Sequence, residues 1–203
     1  MIRIVFATNN PGKLHEVRAL AKNYDVEILS LSDLGLKINV SEDGKSYEEN
    51  ALLKMQAVLD HINDKELWVA GDDSGVAIDV LNGEPGIHTR RWAGYEMTDQ
   101  EIIDYTIASL ANVPGPKRTA HFDSTVAVGR IGITPKLFTG RVDGYILKKA
   151  NKKIPLQDGL PFKSLFYTNQ RRYLGHNLNV ANHRQKAFIK IFESIQALDK
   201  PIS

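Results

Sequence analysis

The segment RIVFATNNPGKL spans residues 3–14 and runs from an apolar stretch into small polar residues and a Pro-Gly-Lys turn. Residues 3–7 predict a buried strand, and Asn10 followed by Pro11 predicts the N-cap and first position of a helix. A strand, a polar loop and a helix in this order direct backbone N–H groups and the positive helix end at one point, which is typical of phosphate binding. Ordinary strand-to-helix turn chemistry is the open alternative for this segment taken alone.

Lys13 would add a mobile positive charge to this loop. The segment is similar to the second half of a P-loop, but Leu14 stands where a Ser or Thr hydroxyl should hold magnesium, and Ala7 replaces the first glycine. A true P-loop is therefore not predicted.

Strand and helix patterns alternate along the chain, which predicts an α/β fold with a mixed sheet. The strands are expected at residues 3–7, 26–31, 67–70, 76–81, 120–128, 137–142 and 144–147. Helices are expected after Asn10, after the capping-box pairs Ser46/Glu49 and Thr98/Glu101, and over the apolar periodicity that includes Phe188, Ile191, Phe192, Ile195 and Leu198.

Composition excludes several classes of protein. The 203 residues are 42% hydrophobic and 25% charged, as in globular domains, which rules out disordered and collagen-like chains. A net charge of +2 is too small for a protein that coats nucleic acid or a membrane surface, and no targeting or membrane segment is predicted. Cysteine is absent, so any catalysis uses oxygen or nitrogen groups.

Acidic residues provide a second chemical signal. Asp72 and Asp73 lie between Gly71 and Gly75, where a tight turn between two strands is expected, and Glu42 lies in a polar segment before the Ser46 helix. Carboxylates are the ligands that magnesium prefers, with waters and substrate phosphates completing its shell. Adjacent strand residues point to opposite faces, so only one aspartate need face a metal. Plain turn residues are the alternative.

His183 and Arg184 provide a third, basic signal at the start of the last helix, where Asn182 is a plausible N-cap. Such a pair at a helix terminus is usually solvated. It gains a function only if the loop at Thr8 and the region of Asp72 converge on it.

The residues of four blocks resemble, in order and spacing, the Ham1 family of inosine/xanthosine triphosphate pyrophosphatases. The blocks are residues 7–13, residues 42–44 with Tyr47, Glu49–Ala51 and Lys54, residues 72–75, and Pro85–Gly86 with Arg91. The resemblance implies a single domain over residues 1–203, an elongated mixed sheet flanked by helices in two lobes around a nucleotide cleft. It further implies a homodimer that uses Mg²⁺ and hydrolyses nucleoside triphosphates such as ITP, dITP and XTP to monophosphate and pyrophosphate. A cytoplasmic location is expected, because the absence of cysteine fits a reducing compartment.

Site roles follow from the same resemblance, residue by residue. It assigns catalysis to Asp73 and Asp72, and magnesium binding to Glu42 and Asp73. Substrate-binding positions are Thr8, Asn9, Asn10, Lys13, Lys54, Ser74, Phe162, His183 and Arg184, of which His183 and Arg184 match the pair that contacts the purine base. Both lysines are expected to be solvent-accessible.

The base-binding block departs from the family. The pattern G-F-G-Y-D-P-x-F is represented by residues 159–166, in which Leu160 replaces the stacking Phe and Lys163 replaces the Asp, and Leu178 stands where the family has a lysine. Phe162 is the expected aromatic substitute, although Phe166, Tyr167 or Tyr173 could supply the stack. The same chemistry on another nucleotide, and nucleotide binding without turnover, are the alternative functions.

Overall fold

The computed structural model describes residues 1–40, 42–168, 172–173 and 181–198. Its helices are α1 (Pro11–Ala21), α2 (Tyr47–Leu59), α3 (Asp99–Ser109) and α4 (His183–Leu198). Its strands are β1 (Ile2–Phe6), β2 (Val26–Leu29), β3 (Trp68–Ile78), β4 (Thr119–Gly129), β5 (Lys136–Ile146), β6 (Phe166–Thr168) and β7 (Arg172–Tyr173). In the part of the chain that is described, no helix is both long and apolar enough to cross a membrane.

The helix starts follow the capping residues of the sequence. Asn10 accepts a hydrogen bond from the Lys13 N–H and caps α1, and the Thr98/Glu101 capping box of α3 is complete. The box of α2 is different: the Ser46 hydroxyl accepts from the Glu49 N–H, but the Glu49 carboxylate accepts from the Lys45 N–H at 2.7 Å.

The prediction of a tight turn at residues 71–75 is wrong. These residues continue a single eleven-residue strand, β3, and most of them are buried. Gly71 explains the difference, because a Cβ at this position would lie 2.2 Å from the Ala51 carbonyl oxygen of α2. The glycine admits a helix against the strand instead of turning the chain. Residues 136–146 also form one strand where two are predicted.

The sheet is mixed, as predicted, with strand order β2-β1-β3-β4-β5-β6-β7. Strand β1 pairs in parallel with β2 and with β3, whereas β6 pairs antiparallel with β5 and with β7. Helix α1 packs in one core cluster with Ile4 and Phe6, and helix α2 packs in another with Val5. Helix α1, which follows β1, and helix α2, which precedes β3, therefore pack on opposite faces of β1. The crevice between β1 and β3 is a point where α/β sheets bind ligands.

The chain divides into two compact units. The first comprises Met1–Asp73, Ser124–Gly140 and Arg184–Ser203, and the second comprises Ser74–Asp123 and Arg141–His183. In the first unit, Phe188 and Phe192 of α4 pack in the cluster that includes β1. The core of the second unit includes Ile102 and Phe122. The expectation of one domain with two lobes over residues 1–203 stays a prediction.

Candidate active site

Strand β3 carries Asp72 and Asp73, the last two residues of the first segment of the first unit. Both are buried, with 1% and 4% of their surface exposed. Because successive side chains of a strand alternate, the two carboxylates point to opposite faces. Asp72 is bonded from α1 and α4, and Asp73 is bonded from α2.

Three donors hold the Asp72 carboxylate. Lys13 Nζ lies 2.9 Å and Arg184 Nε 3.0 Å from its Oδ2, and the Ser124 hydroxyl lies 2.5 Å from its Oδ1. Arg184 also donates from Nη1 to Glu16 at 2.5 Å. The arginine guanidinium thus lies between two carboxylates, and Asp72 connects helices α1 and α4 through β3.

The surroundings of Asp72 favour its charged form strongly. Burial by itself would raise the pKa of this carboxyl, but the nearby positive charges of Lys13 and Arg184 and the Ser124 hydroxyl hold the pKa well below its usual range. Asp72 is consequently an anion at neutral pH and a very weak base.

The Asp73 carboxylate is held by two residues of α2 that are one turn apart. Asn50 Nδ2 donates to Oδ2 at 3.0 Å, and Lys54 Nζ donates to Oδ1 at 2.9 Å. Lys54 Nζ also lies 3.0 Å from Glu42 Oε1 and 3.1 Å from the Asp72 carbonyl oxygen. One ammonium group therefore joins Glu42 and Asp73, the two carboxylates for which the family resemblance implies metal binding.

The expectation that both lysines are solvent-accessible is wrong. The side chain of Lys13 is 15% exposed and that of Lys54 is 9% exposed, because each ammonium is drawn to a buried carboxylate. Burial lowers the pKa of Lys54, but Asp73 and Glu42 outweigh burial and raise this pKa above its ordinary value. Arg184 and His183 are likewise buried rather than solvated, with 2% and 3% exposed.

Glycine is required where α2 lies on β3. A Cβ at Gly71 would approach the Ala51 carbonyl oxygen to 2.2 Å and the Met55 backbone nitrogen to 2.6 Å. The helix backbone therefore rests directly on the strand. This close approach brings Asn50 and Lys54 within hydrogen-bonding distance of Asp73.

The loop between β1 and α1 is ordered by its own side chains. Thr8 Oγ1 accepts from the Asn10 N–H at 3.1 Å, and Asn10 Oδ1 accepts from the Lys13 N–H at 3.0 Å. Asn9 is exposed and donates to the Ile38 carbonyl at 3.0 Å. A cavity of about 480 Å³ lies beside this loop and is bounded also by residues of the segment 30–39.

The remaining predicted site residues belong to the second unit. His183 stacks on Phe122 with ring centroids 4.7 Å apart, and Phe162 meets Phe122 edge-to-face at 5.5 Å. Phe162 is 3% exposed and is part of the core of this unit. Ser74 is half-buried and follows Asp73 in β3.

Comparison with known proteins identifies the family. The sequence profile of the Ham1 family matches residues 4–194. The chain belongs to the Ham1 family. It is 36% identical to the dITP/XTP pyrophosphatase of Leuconostoc mesenteroides over 169 residues, which cover 82% of this chain and 80% of the relative. It is 32% identical to the dITP/XTP pyrophosphatase of Caldanaerobacter subterraneus over 203 residues, 96% of each chain.

A solved Ham1 structure has the same fold. The Ham1 protein of Staphylococcus aureus superimposes with a TM-score of 0.77 at 27% identity, covering 97% of this chain and 100% of the other. The likeness extends over nearly the whole chain, so the α/β fold with a mixed sheet, predicted from the sequence, is confirmed.

The block that departs from the Ham1 pattern has a defined local structure. Residues Pro161–Ser164 form a 3₁₀ turn, and Lys163 donates from Nζ to the Gln157 side chain. Phe166, one of the alternative stacking residues, is fully buried against Phe122, and Tyr167 packs on Tyr145. Leu178 and the side chain of Tyr173 lie outside the described residues.

Three residues of this Ham1 site were not predicted as site residues. Glu16 follows Lys13 by three positions on α1, a spacing that places both on one helix face and could have indicated it. Asn50 lies in one of the blocks that carry the family resemblance. Ser124 has no local signal, because its partner Asp72 is 52 residues away.

Proposed function

We propose that this protein is a nucleoside triphosphate pyrophosphatase that acts on deaminated purine nucleotides such as ITP, dITP and XTP. The α–β phosphoanhydride bond breaks as water adds, and the products are the monophosphate and pyrophosphate. The observation that carries the proposal is the pair of lysine–aspartate contacts on the two faces of β3, in a chain of the Ham1 family. The relatives named dITP/XTP pyrophosphatase support the substrate class.

The triphosphate is proposed to bind at Lys13, Lys54 and the loop Thr8–Asn9–Asn10. Lys13 lies in the first turn of α1, where the helix dipole adds positive charge. A leaving pyrophosphate carries several negative charges, and these cations would stabilise them. The assignment of Ser74, Phe162, His183 and Arg184 to substrate binding stays a prediction.

A divalent metal, with Mg²⁺ as the proposed ion, fits Glu42 and Asp73. Their carboxylates already converge on one positive group, Lys54 Nζ, at 3.0 and 2.9 Å. Among the described residues, no group of three or more His, Asp or Glu side chains is arranged to hold a metal ion, so these two carboxylates would share the ion with water and substrate phosphates. When bound, the ion would neutralise phosphate charge and lower the pKa of a bound water.

The two aspartates have different proposed roles. Asp72 already accepts hydrogen bonds from Lys13, Arg184 and Ser124, and its low pKa makes it unsuited to take a proton. Its proposed role is to orient the two cations. Asp73 is proposed to orient or deprotonate the attacking water.

Pyrophosphate release tests the proposal. The wild-type enzyme with MgCl₂ is assayed on ITP, dITP, XTP, GTP and ATP, and kcat/KM is compared. Asp73→Asn should lose about 10²-fold or more of kcat while the protein stays folded. Asp64→Asn, which alters an exposed carboxylate paired with Arg3, is the control and should keep full activity. Metal-independent turnover, or a fully active Asp73→Asn, would overturn the assignment.

The nucleotide panel also separates the alternatives. Higher kcat/KM on a standard nucleotide than on ITP and XTP would indicate the same chemistry with another substrate. Nucleotide binding without pyrophosphate release would indicate a binding protein. The proposed assembly is a homodimer, which light scattering on the purified protein measures directly.

A further inference from the structure

The side-chain amide of Asn50 is enclosed between Asp73 and the loop that carries Glu42. Asn50 is 2% exposed. Its Nδ2 donates to Asp73 Oδ2 at 3.0 Å, and its Oδ1 accepts from the Gly44 N–H at 2.8 Å. The amide orientation is determined by these partners, since a carboxylate only accepts and a backbone N–H only donates.

Asn50 and Lys54 together fix the Asp73 carboxylate. They lie four residues apart on α2 and donate to its two different oxygens. With a donor on each oxygen, rotation of the carboxylate breaks at least one hydrogen bond. Lys54 is also paired with Glu42, whereas the amide nitrogen and oxygen of Asn50 bond to Asp73 and to the Gly44 N–H.

The contact between Asn50 and the loop is also close. A Cβ at Gly44 would lie 2.6 Å from Asn50 Oδ1 and 2.9 Å from the Glu49 Cβ. The absence of a side chain at Gly44 therefore allows the loop backbone to contact the Asn50 amide directly. Glu42 is two residues before Gly44 and bonds to Lys54 at 3.0 Å, so its position depends on where the loop is held.

We propose that Asn50 is the positioning residue of the metal site, joining the backbone of the Glu42 loop to the Asp73 carboxylate. This inference rests on the proposed function, in which Glu42 and Asp73 bind the divalent ion. A neutral amide suits the task because it donates to one element, accepts from the other and adds no negative charge beside the two carboxylates. Groups that orient metal ligands typically change metal affinity by about 10- to 100-fold when removed.

Mn²⁺ binding, followed by electron paramagnetic resonance, tests this role apart from turnover. The titration is run on the full-length protein with and without a non-hydrolysable α,β-methylene triphosphate. Asn50→Leu keeps the branched shape of the side chain but removes both hydrogen bonds, and should raise the half-saturating Mn²⁺ concentration about 10-fold or more. The Mg²⁺ concentration for half-maximal turnover should rise in parallel, while kcat at saturating metal changes less than the metal affinity.

Thr106→Val is the matched control. It removes a buried hydrogen bond, from Thr106 Oγ1 to the Ile102 carbonyl, in the second unit. It should lower the melting temperature without changing Mn²⁺ affinity. If Asn50→Leu fails to fold, Asn50→Ser, whose hydroxyl can restore one of the two hydrogen bonds, should show a smaller increase in half-saturating Mn²⁺.

Two results would overturn the proposal, and they are distinguishable. Mn²⁺ affinity equal to wild type in both Asn50 variants would remove the positioning role and leave the proposed function intact. Absence of Mn²⁺ binding in the wild-type protein, with and without nucleotide, would remove the metal assignment of the proposed function and the role of Asn50 with it.

Discussion

Asp72 and Asp73 are adjacent in strand β3, yet each carboxylate forms an ion pair with a lysine of a different helix on the opposite face of the strand. The distances are 2.9 Å from Lys13 Nζ to Asp72 Oδ2 and 2.9 Å from Lys54 Nζ to Asp73 Oδ1. On the Asp73 face, Lys54 also pairs with Glu42, and this is the face proposed to bind the metal ion. On the other face, the Asp72 carboxylate also forms an ion pair with Arg184 of α4.

Lys54→Met should strengthen metal binding in the absence of nucleotide. The ammonium neutralises Glu42 and Asp73 and competes with any cation for them, so its removal should lower the half-saturating Mn²⁺ concentration about 10-fold. Turnover should fall because the triphosphate loses a positive partner. Lys45→Met, at an exposed position before α2, should change neither property. Weaker Mn²⁺ binding by Lys54→Met would contradict competition by the ammonium.

Gly71→Ala should disrupt both stability and the site. The new Cβ would meet the backbone of α2 at 2.2 Å, so the helix must move away from β3. We expect a loss of about 1–3 kcal/mol in the free energy of unfolding and about 10²-fold in kcat/KM, because Asn50 and Lys54 move from Asp73. Gly115→Ala, which meets no atom within 4 Å, serves as the control. Denaturant unfolding and pyrophosphate release measure the two effects, and an unaltered kcat/KM would refute the dependence on helix placement.

Arg184→Met should destabilise the fold even without nucleotide. The substitution leaves the buried Asp72 and the partly buried Glu16 without their shared cation, and breaking a buried ion pair typically costs about 3–5 kcal/mol. Arg3→Met removes an ion pair with Asp64 in which both side chains are more than 40% exposed, and should cost less than about 1 kcal/mol. Chemical denaturation in the absence of ligands compares the two. Equal losses in the free energy of unfolding for the two variants would mean that the ion pairs of Arg184 do not stabilise the fold more than an exposed ion pair does.

Lowering the pH should destabilise the N-terminal turn of α3, because protonation of Glu101 weakens its hydrogen bonds from Thr98. The backbone N–H and the hydroxyl of Thr98 donate to this carboxylate and hold its pKa below the ordinary value. Because the folded-state pKa is depressed, its contribution to stability is present above the unfolded pKa of about 4.3 and is lost as pH falls through the folded pKa.

Glu101→Gln measures this contribution, since glutamine can cap the helix but does not titrate. The melting temperature of the wild type relative to Glu101→Gln should fall between pH 5 and pH 3. Glu96→Gln, at an exposed position before the helix, is the control for a general effect of lost charge. A temperature difference that does not vary with pH would exclude the shifted pKa as its cause.

Much of the local structure could be predicted because it depends on neighbouring residues. Asn10 and Pro11 start α1 as expected, since a side-chain cap and a fixed φ act within one turn. The alternation of residues 120–128 predicts β4, and residues 119–123 do alternate between buried and more exposed positions, but residues 124–129 are buried on both faces of the strand. The predicted turn at residues 71–75 is wrong because Gly71 makes a contact with α2, whose contacting residues lie more than fifteen positions earlier in the chain.

The sequence by itself determined the family, the α/β class and the chemical types at the site: two lysines, an acidic pair and a second acidic loop. The tertiary structure decided which charge meets which. It paired Lys13 with Asp72 and Lys54 with Asp73, buried both lysines, and added Glu16, Asn50 and Ser124. Ion pairs and hydrogen bonds between distant segments depend on the face that each strand residue presents and on how closely a helix approaches it. Those are properties of the packed chain, and no local spacing of residues encodes them.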